Sequence, residues 1–119
     1  MKANELRIGN LIWENYGGIY MVREIREKEV IISKTKTTIA VGYKYSEVKV
    51  IELTEEWLLK FGFEKCLNQY KKLTETQPFI ILFLEEQFQY DDLRYRTNLK
   101  YVHQLQNLYF SLTGKELTL

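Results

Sequence analysis

The chain of 119 residues is short of cysteine, histidine and proline, with one of each: Cys66, His103 and Pro78. A single thiol cannot close an internal disulfide, and with a single imidazole it cannot supply a zinc ligand set. Charge of one sign is also missing, since 17 Lys and Arg stand against 16 Asp and Glu, a formal +1. That balance gives no whole-molecule field to gather nucleic acid or an anionic membrane. The longest apolar run is FIILFL, Phe79 to Leu84, far below the roughly 20 residues that cross a bilayer. The opening MKANELRIGN scatters charge and asparagine where a secretion signal would have an apolar core. The expectation is therefore a cytoplasmic protein with no membrane contact. Phosphate loops, dinucleotide fingerprints, H-E-x-x-H and G-x-S-x-G are all absent. No Ser, Cys or Asp pattern marks a partner for His103 in nucleophilic or general-base chemistry. The chain reads as a non-enzyme without cofactor or metal.

What the sequence does hold is aromatic residues, at 14%, and short strand signals. LIWE and IYMV flank Asn15-Tyr16-Gly17-Gly18, whose glycines supply the positive φ of a tight hairpin. A charged turn near Arg26 to Glu29 leads into EVIIS. TIAVGYKY alternates Ile39, Val41, Tyr43 and Tyr45 with Thr38, Ala40, Gly42 and Lys44. That period of two predicts a half-buried strand over 38–45. EVKVIEL completes the set. Five strands within about 50 residues predict an SH3-like bent sheet or small barrel over 1–52.

LTEEWLLKFGFEK, residues 53–65, predicts a short helix with both ends written in. Thr54 is the expected N-cap, its hydroxyl meeting a free N–H of the first turn. Leu53 and Leu58 are spaced for a hydrophobic staple, and Glu55 and Glu56 suit the helix dipole. Gly62 is the expected left-handed terminator, with Phe63 folding back on Leu58 in a Schellman motif. About seven residues are too few for a helix to stand alone, so Trp57, Leu58 and Phe61 must pack. The segment reads as a scaffold corner.

Over 53–119 the prediction is this corner helix, an antiparallel sheet and a terminal helix packed on it. QYKKL pairs with FIILFL, a central strand covered on both faces, and QFQY follows. LRYRT sets Leu93 and Tyr95 against Arg94 and Arg96. The terminal helix is capped by Thr97 or Asn98 and ended by Gly114, with Tyr101, Val102, Leu105, Leu108, Tyr109 and Leu112 as its apolar stripe. No flexible linker divides the two lobes, which read as one α+β unit.

Two candidate contact surfaces emerge. In KTKTTIAVGYKYSEVK four lysines, Lys34, Lys36, Lys44 and Lys49, meet one acid, Glu47. With Tyr43 and Tyr45 free to stack, they could bind nucleic acid. With both tyrosines in the apolar row, the lysines instead guard a sheet edge. On the terminal helix His103, Gln106 and Phe110 fall about 160°, 100° and 140° from Leu105. A phenylalanine on that polar side is either exposed, covered by the chain itself, or an anchor for a partner protein or a second copy. Glu85, Glu86, Asp91 and Asp92 fit solvated strand ends better than a cation loop. Cys66 has only Lys65 beside it to activate the thiol, and reads as a buried or half-buried spectator.

The blocks ANELRIGNLI, ELTEEWLLKFGFEK and YVHQLQNLYFSLTGKEL together resemble a group of small uncharacterised proteins of gut anaerobic bacteria, often carried by their prophages and other mobile elements. The resemblance implies an accessory role and brings no activity, cofactor or catalytic residue with it. The functional expectation is a non-catalytic interaction protein, with nucleic-acid binding through 34–49 as the alternative.

Overall fold

The computed structural model describes residues 5–91 and 96–119. It is a mixed α+β fold that divides into two compact units, Met1–Ile51 and Glu52–Leu119.

In the first unit five antiparallel strands run β1 (Leu11–Glu14), β2 (Ile19–Ile25), β3 (Glu29–Ser33), β4 (Val41–Lys44) and β5 (Val48–Lys49). The β1–β2 hairpin turns where the paired glycines stand, with φ of 101° at Gly17 and 151° at Gly18. Leu6, Ile12, Val22, Val30, Ile32 and Val48 form the core, and Tyr20, Ile25, Tyr43 and Tyr45 pack against it. The strand order is β4-β3-β2-β1-β5. β4 and β5 are thus free edges, and the sheet does not close into the barrel that strand number alone allowed. The strand expected over 38–45 is also shorter. Only Val41–Lys44 pairs with β3, and Tyr45–Glu47 turns as a 3₁₀ segment.

The second unit contains α1 (Glu55–Lys60), then β6 (Glu64–Cys66), β7 (Gln69–Lys72), β8 (Phe79–Leu84), β9 (Gln87–Asp91) and β10 (Arg96–Leu99), and finally α2 (Val102–Thr113). The sheet is a plain antiparallel meander, β10-β9-β8-β7-β6. α1 ends as its sequence dictates. Gly62 has φ of 91°, its N–H reaches the Leu59 carbonyl at 3.0 Å, and the Phe63 N–H reaches that of Leu58 at 3.0 Å. This is the Schellman pair. Trp57, Leu58, Phe61 and Phe63 are all buried. At the other end Thr54 occupies the N-cap position, but its side chain makes no capping bond. Glu55 and Glu56 remain to meet the dipole.

Three further expectations for this unit are corrected. β8 is central, but only Phe79 and Ile81 are buried, while Phe83 is 39% exposed. α2 covers one face of the sheet, the one carrying Phe79, whose ring meets Tyr109 at 5.1 Å. Thr97 and Asn98 do not cap α2, because they are paired in β10 with Tyr90 and Gln89. The cap residue is Tyr101, and the Gln104 side-chain oxygen accepts the Lys100 and Tyr101 N–H groups at 2.9 and 3.0 Å. Finally, α2 buries Val102, His103, Leu105, Gln106 and Tyr109, while Leu112 is 52% exposed. The expected apolar stripe is only partly the buried face. Gly114 ends the helix at φ of 74°, as its position required. The facing proposed for Leu93, Arg94 and Tyr95 lies outside the described residues.

Candidate functional site

The first unit's most distinctive surface is the β3–β4 loop. Residues 34–40 are all exposed, yet the loop is held in shape by hydrogen bonds. Its anchor is Arg23, placed by a register shift in β2. Pairing passes from Val22↔Ile32 to Glu24↔Ile31, so Arg23 is the extra residue of a bulge. Arg23 Nη1 donates to the Lys36 carbonyl at 2.7 Å, the Thr35 carbonyl at 3.3 Å and Ser33 Oγ at 3.4 Å. Ser33 Oγ in turn donates to the Thr35 carbonyl at 2.6 Å, and the Thr35 N–H donates to Thr38 Oγ1 at 2.9 Å. These local bonds compete with the β-ladder for the same backbone groups, which explains why β4 starts late. They leave Ile39 87% exposed and Val41 51% exposed, where sequence alternation put both in the buried row.

Of the candidate nucleic-acid contacts, Lys34, Lys36, Lys44 and Lys49 are exposed. Lys34 Nζ lies 5.8 Å from the centroid of the Tyr20 ring. The nearby acids make bonds of their own, and Glu29 also stands opposite Lys44 in the ladder. Glu24 and Glu29 each meet Arg26 at 3.0 Å, and Glu47 Oε1 accepts the Lys44 N–H at 2.9 Å. Hydrogen bonding to Arg26 holds the Glu24 carboxyl below its usual range and pushes the guanidinium up. Tyr43 and Tyr45 pack on the sheet's own core. Burial pushes both phenols up, and Tyr45 Oη donates to the Arg26 carbonyl at 2.6 Å. The structure therefore puts Lys34 and Lys36 in one exposed loop with Ile39, leaves Lys44 at the end of β4 and Lys49 on β5 at the sheet's other edge, and gives the tyrosines a packing role.

The three candidates on α2 do not share a surface. His103 and Gln106 are buried, at 3% and 2% exposure, and only Phe110 reaches solvent, at 38%. The His103 ring lies nearly parallel to that of Tyr101, with centroids 5.8 Å apart.

In the second unit a cleft of about 460 Å³ is lined by Glu52, Leu53, Glu86, Phe88, Leu99 and Lys100 among others. Beside it the β8–β9 turn puts Glu85 and Glu86 both at positive φ, 53° and 61°. Asp91 is at the far end of β9 and pairs with Arg96 at 3.5 Å. The carboxylates therefore do not converge, and Asp92 lies outside the described residues. Among the described residues no three His, Cys, Asp or Glu side chains are placed to hold a metal ion. No described helix is long and apolar enough to cross a membrane. Cys66 is not buried or half-buried as expected but exposed, because β6 is the edge strand of its sheet, and Leu67 follows at φ of 55° and 88% exposure.

Sequence reasoning missed Arg23 and the exposure of Ile39. KTKTT offers one usable signal, since a run of hydroxyls with no apolar alternation cannot extend a half-buried strand. Comparison with protein-family models, curated proteins and solved structures finds no match to this chain.

Proposed function

We propose that this chain is a non-catalytic interaction protein, working in the cytoplasm as an accessory factor of a prophage or other mobile element. Its contact surface is the β3–β4 loop. One observation carries this reading: a loop fixed by Arg23 and its own hydroxyls still holds Ile39 87% exposed among lysines. A loop ordered before binding loses little further entropy when a partner arrives. The mobile-element setting rests on the resemblance of the three sequence blocks. The first unit is read as SH3-like because its last strand pairs with its first, β5 with β1. The second reading is nucleic-acid binding, favoured by the four exposed lysines and weakened by the packing of Tyr43 and Tyr45.

The test is affinity capture from a lysate of the host, with mass spectrometry of bound protein and absorbance at nucleic-acid wavelengths. A control chain carries Lys34→Glu, Lys36→Glu and Ile39→Ser. A protein retained by the native chain and lost by the control supports the reading. Identical retention on both chains sinks the loop as contact surface. Nucleic acid retained only by the native chain favours the second reading.

A further inference from the structure

We infer that the β3–β4 loop and the free edge of β4 take an extended, acidic peptide segment bearing aliphatic side chains, which adds to the first unit's sheet as a further strand. The inference rests on the proposed contact role of this loop and gives its partner a chemistry. β4 is the last strand of its sheet, so one side of its backbone is open to strand addition. Lysines usually protect such edges by repelling or desolvating an incoming strand. Lys34 and Lys36, in the loop that leads into β4, have that effect on neutral or basic chains, but they attract an acidic one. From Lys34 to Ser46 the chain contains no acidic residue. Glu29 stands opposite Lys44 in the β3–β4 pairing and Glu47 lies three residues beyond it, so Lys44 has carboxylates at hand, whereas Lys34 and Lys36 sit in the acid-free stretch. Among the described residues no carboxylate forms an ion pair with Lys34 or Lys36, and the loop's positive charge rests on these two.

The apolar residues decide between a peptide and a nucleic acid. Ile39 stands exposed in the loop that carries Lys34 and Lys36, and Val41 is exposed at the start of β4. A phosphodiester backbone has nothing aliphatic to place against them, and the rings that could stack bases, Tyr43 and Tyr45, pack on the core. A peptide alternating carboxylate and aliphatic side chains would match both features, with period two along an added strand.

The experiment pans a displayed library of random twelve-residue peptides against the full chain, with counter-selection on the Lys34→Glu, Lys36→Glu variant. Both altered positions are exposed, and circular dichroism confirms that the variant is folded. The enriched peptides are expected to be acidic and to contain Leu, Ile or Val. Synthetic copies should bind at least about tenfold more weakly to the double variant, because two exposed attractions become repulsions. Ile39→Ser should weaken them several-fold. Enrichment of neutral or basic peptides overturns the inference, as does equal binding to native and variant chains. Tighter binding of a twelve-residue oligothymidine than of any selected peptide also overturns it, in favour of nucleic acid. If no peptide is enriched while lysate capture still yields a loop-dependent protein, the peptide chemistry fails and the contact role stands.

Discussion

Replacing Gly62 by alanine tests the end of α1 and its attachment to the sheet in one substitution. Gly62 has φ of 91°, and an added Cβ would lie 2.8 Å from Lys72 Nζ. That ammonium donates to the Phe61 carbonyl at 2.6 Å, one of the carbonyls left free at the helix end. Alanine in the left-handed region costs about 1–2 kcal/mol. Lys72 is flexible and can withdraw, but only by giving up the bond to Phe61, a further loss of about 1 kcal/mol. The sum is roughly 2–3 kcal/mol. At a urea dependence of about 2 kcal/mol per molar, the midpoint should fall by about 1 M with unchanged slope. The Lys72→Met background separates the two parts. There the obstacle and the bond are both gone, so Gly62→Ala should cost only the backbone part, about 1–2 kcal/mol. An unchanged midpoint would refute the left-handed terminator, and equal losses in both backgrounds would refute the role given to Lys72.

The β8–β9 turn should be improved by Glu85→Asn with Glu86→Gly, since both positions have positive φ. A rise of about 1 kcal/mol or more in urea stability is expected, and a fall would mean the glutamates make contacts that outweigh their strain. Hydrogen bonds from Lys65 and then Tyr70 hold the Glu55 carboxyl below its usual range. Its contribution to stability is complete above the ordinary carboxylate pKa and is lost as pH falls through the lowered one. Glu55→Gln should therefore lose less stability than the native chain between pH 6 and pH 3, and parallel losses would count against the cluster. Arg23→Met should leave the sheet folded while trypsin cleaves after Lys34 and Lys36 at least about threefold faster. An unchanged rate would mean Arg23 does not hold the loop.

Features set by a few adjacent residues were legible in the sequence. The Gly17-Gly18 hairpin and the Gly62 and Gly114 helix ends follow from backbone rules that act over three or four positions. What was not legible depends on partners distant in sequence. The bulge at Arg23 is a property of the β2–β3 pairing, and without it nothing marks the loop as anchored. Ile39 continues the alternation of Val41 and Tyr43, so the pattern places it in the core. The loop's hydroxyls and Arg23 instead take its neighbours away from the ladder. The lysines of the candidate site were therefore found by composition, and its apolar half was assigned to the wrong surface.

The facing of α2 was missed for another reason. The buried set of Val102, His103, Leu105, Gln106 and Tyr109 centres about 70° from Leu105 on the helical wheel, turned toward Gln106. Hydrophobicity alone would centre the buried face near Leu105 and bury Leu112. Among its contacts with described residues, two favour the observed rotation. At its start, the Gln104 oxygen accepts two N–H groups from Lys100 and Tyr101 and so fixes how the chain enters the helix from β10. Two turns later Tyr109 packs edge-on against Phe79, whose other neighbours are Tyr90 at 4.9 Å and Phe63 at 6.1 Å. Aromatic contacts of this kind have directional preferences as well as area. In that rotation His103 and Gln106 lie inward and Leu112 outward. A capping oxygen and an edge-on aromatic contact thus favour the side of α2 that faces the core, and a helical wheel contains neither.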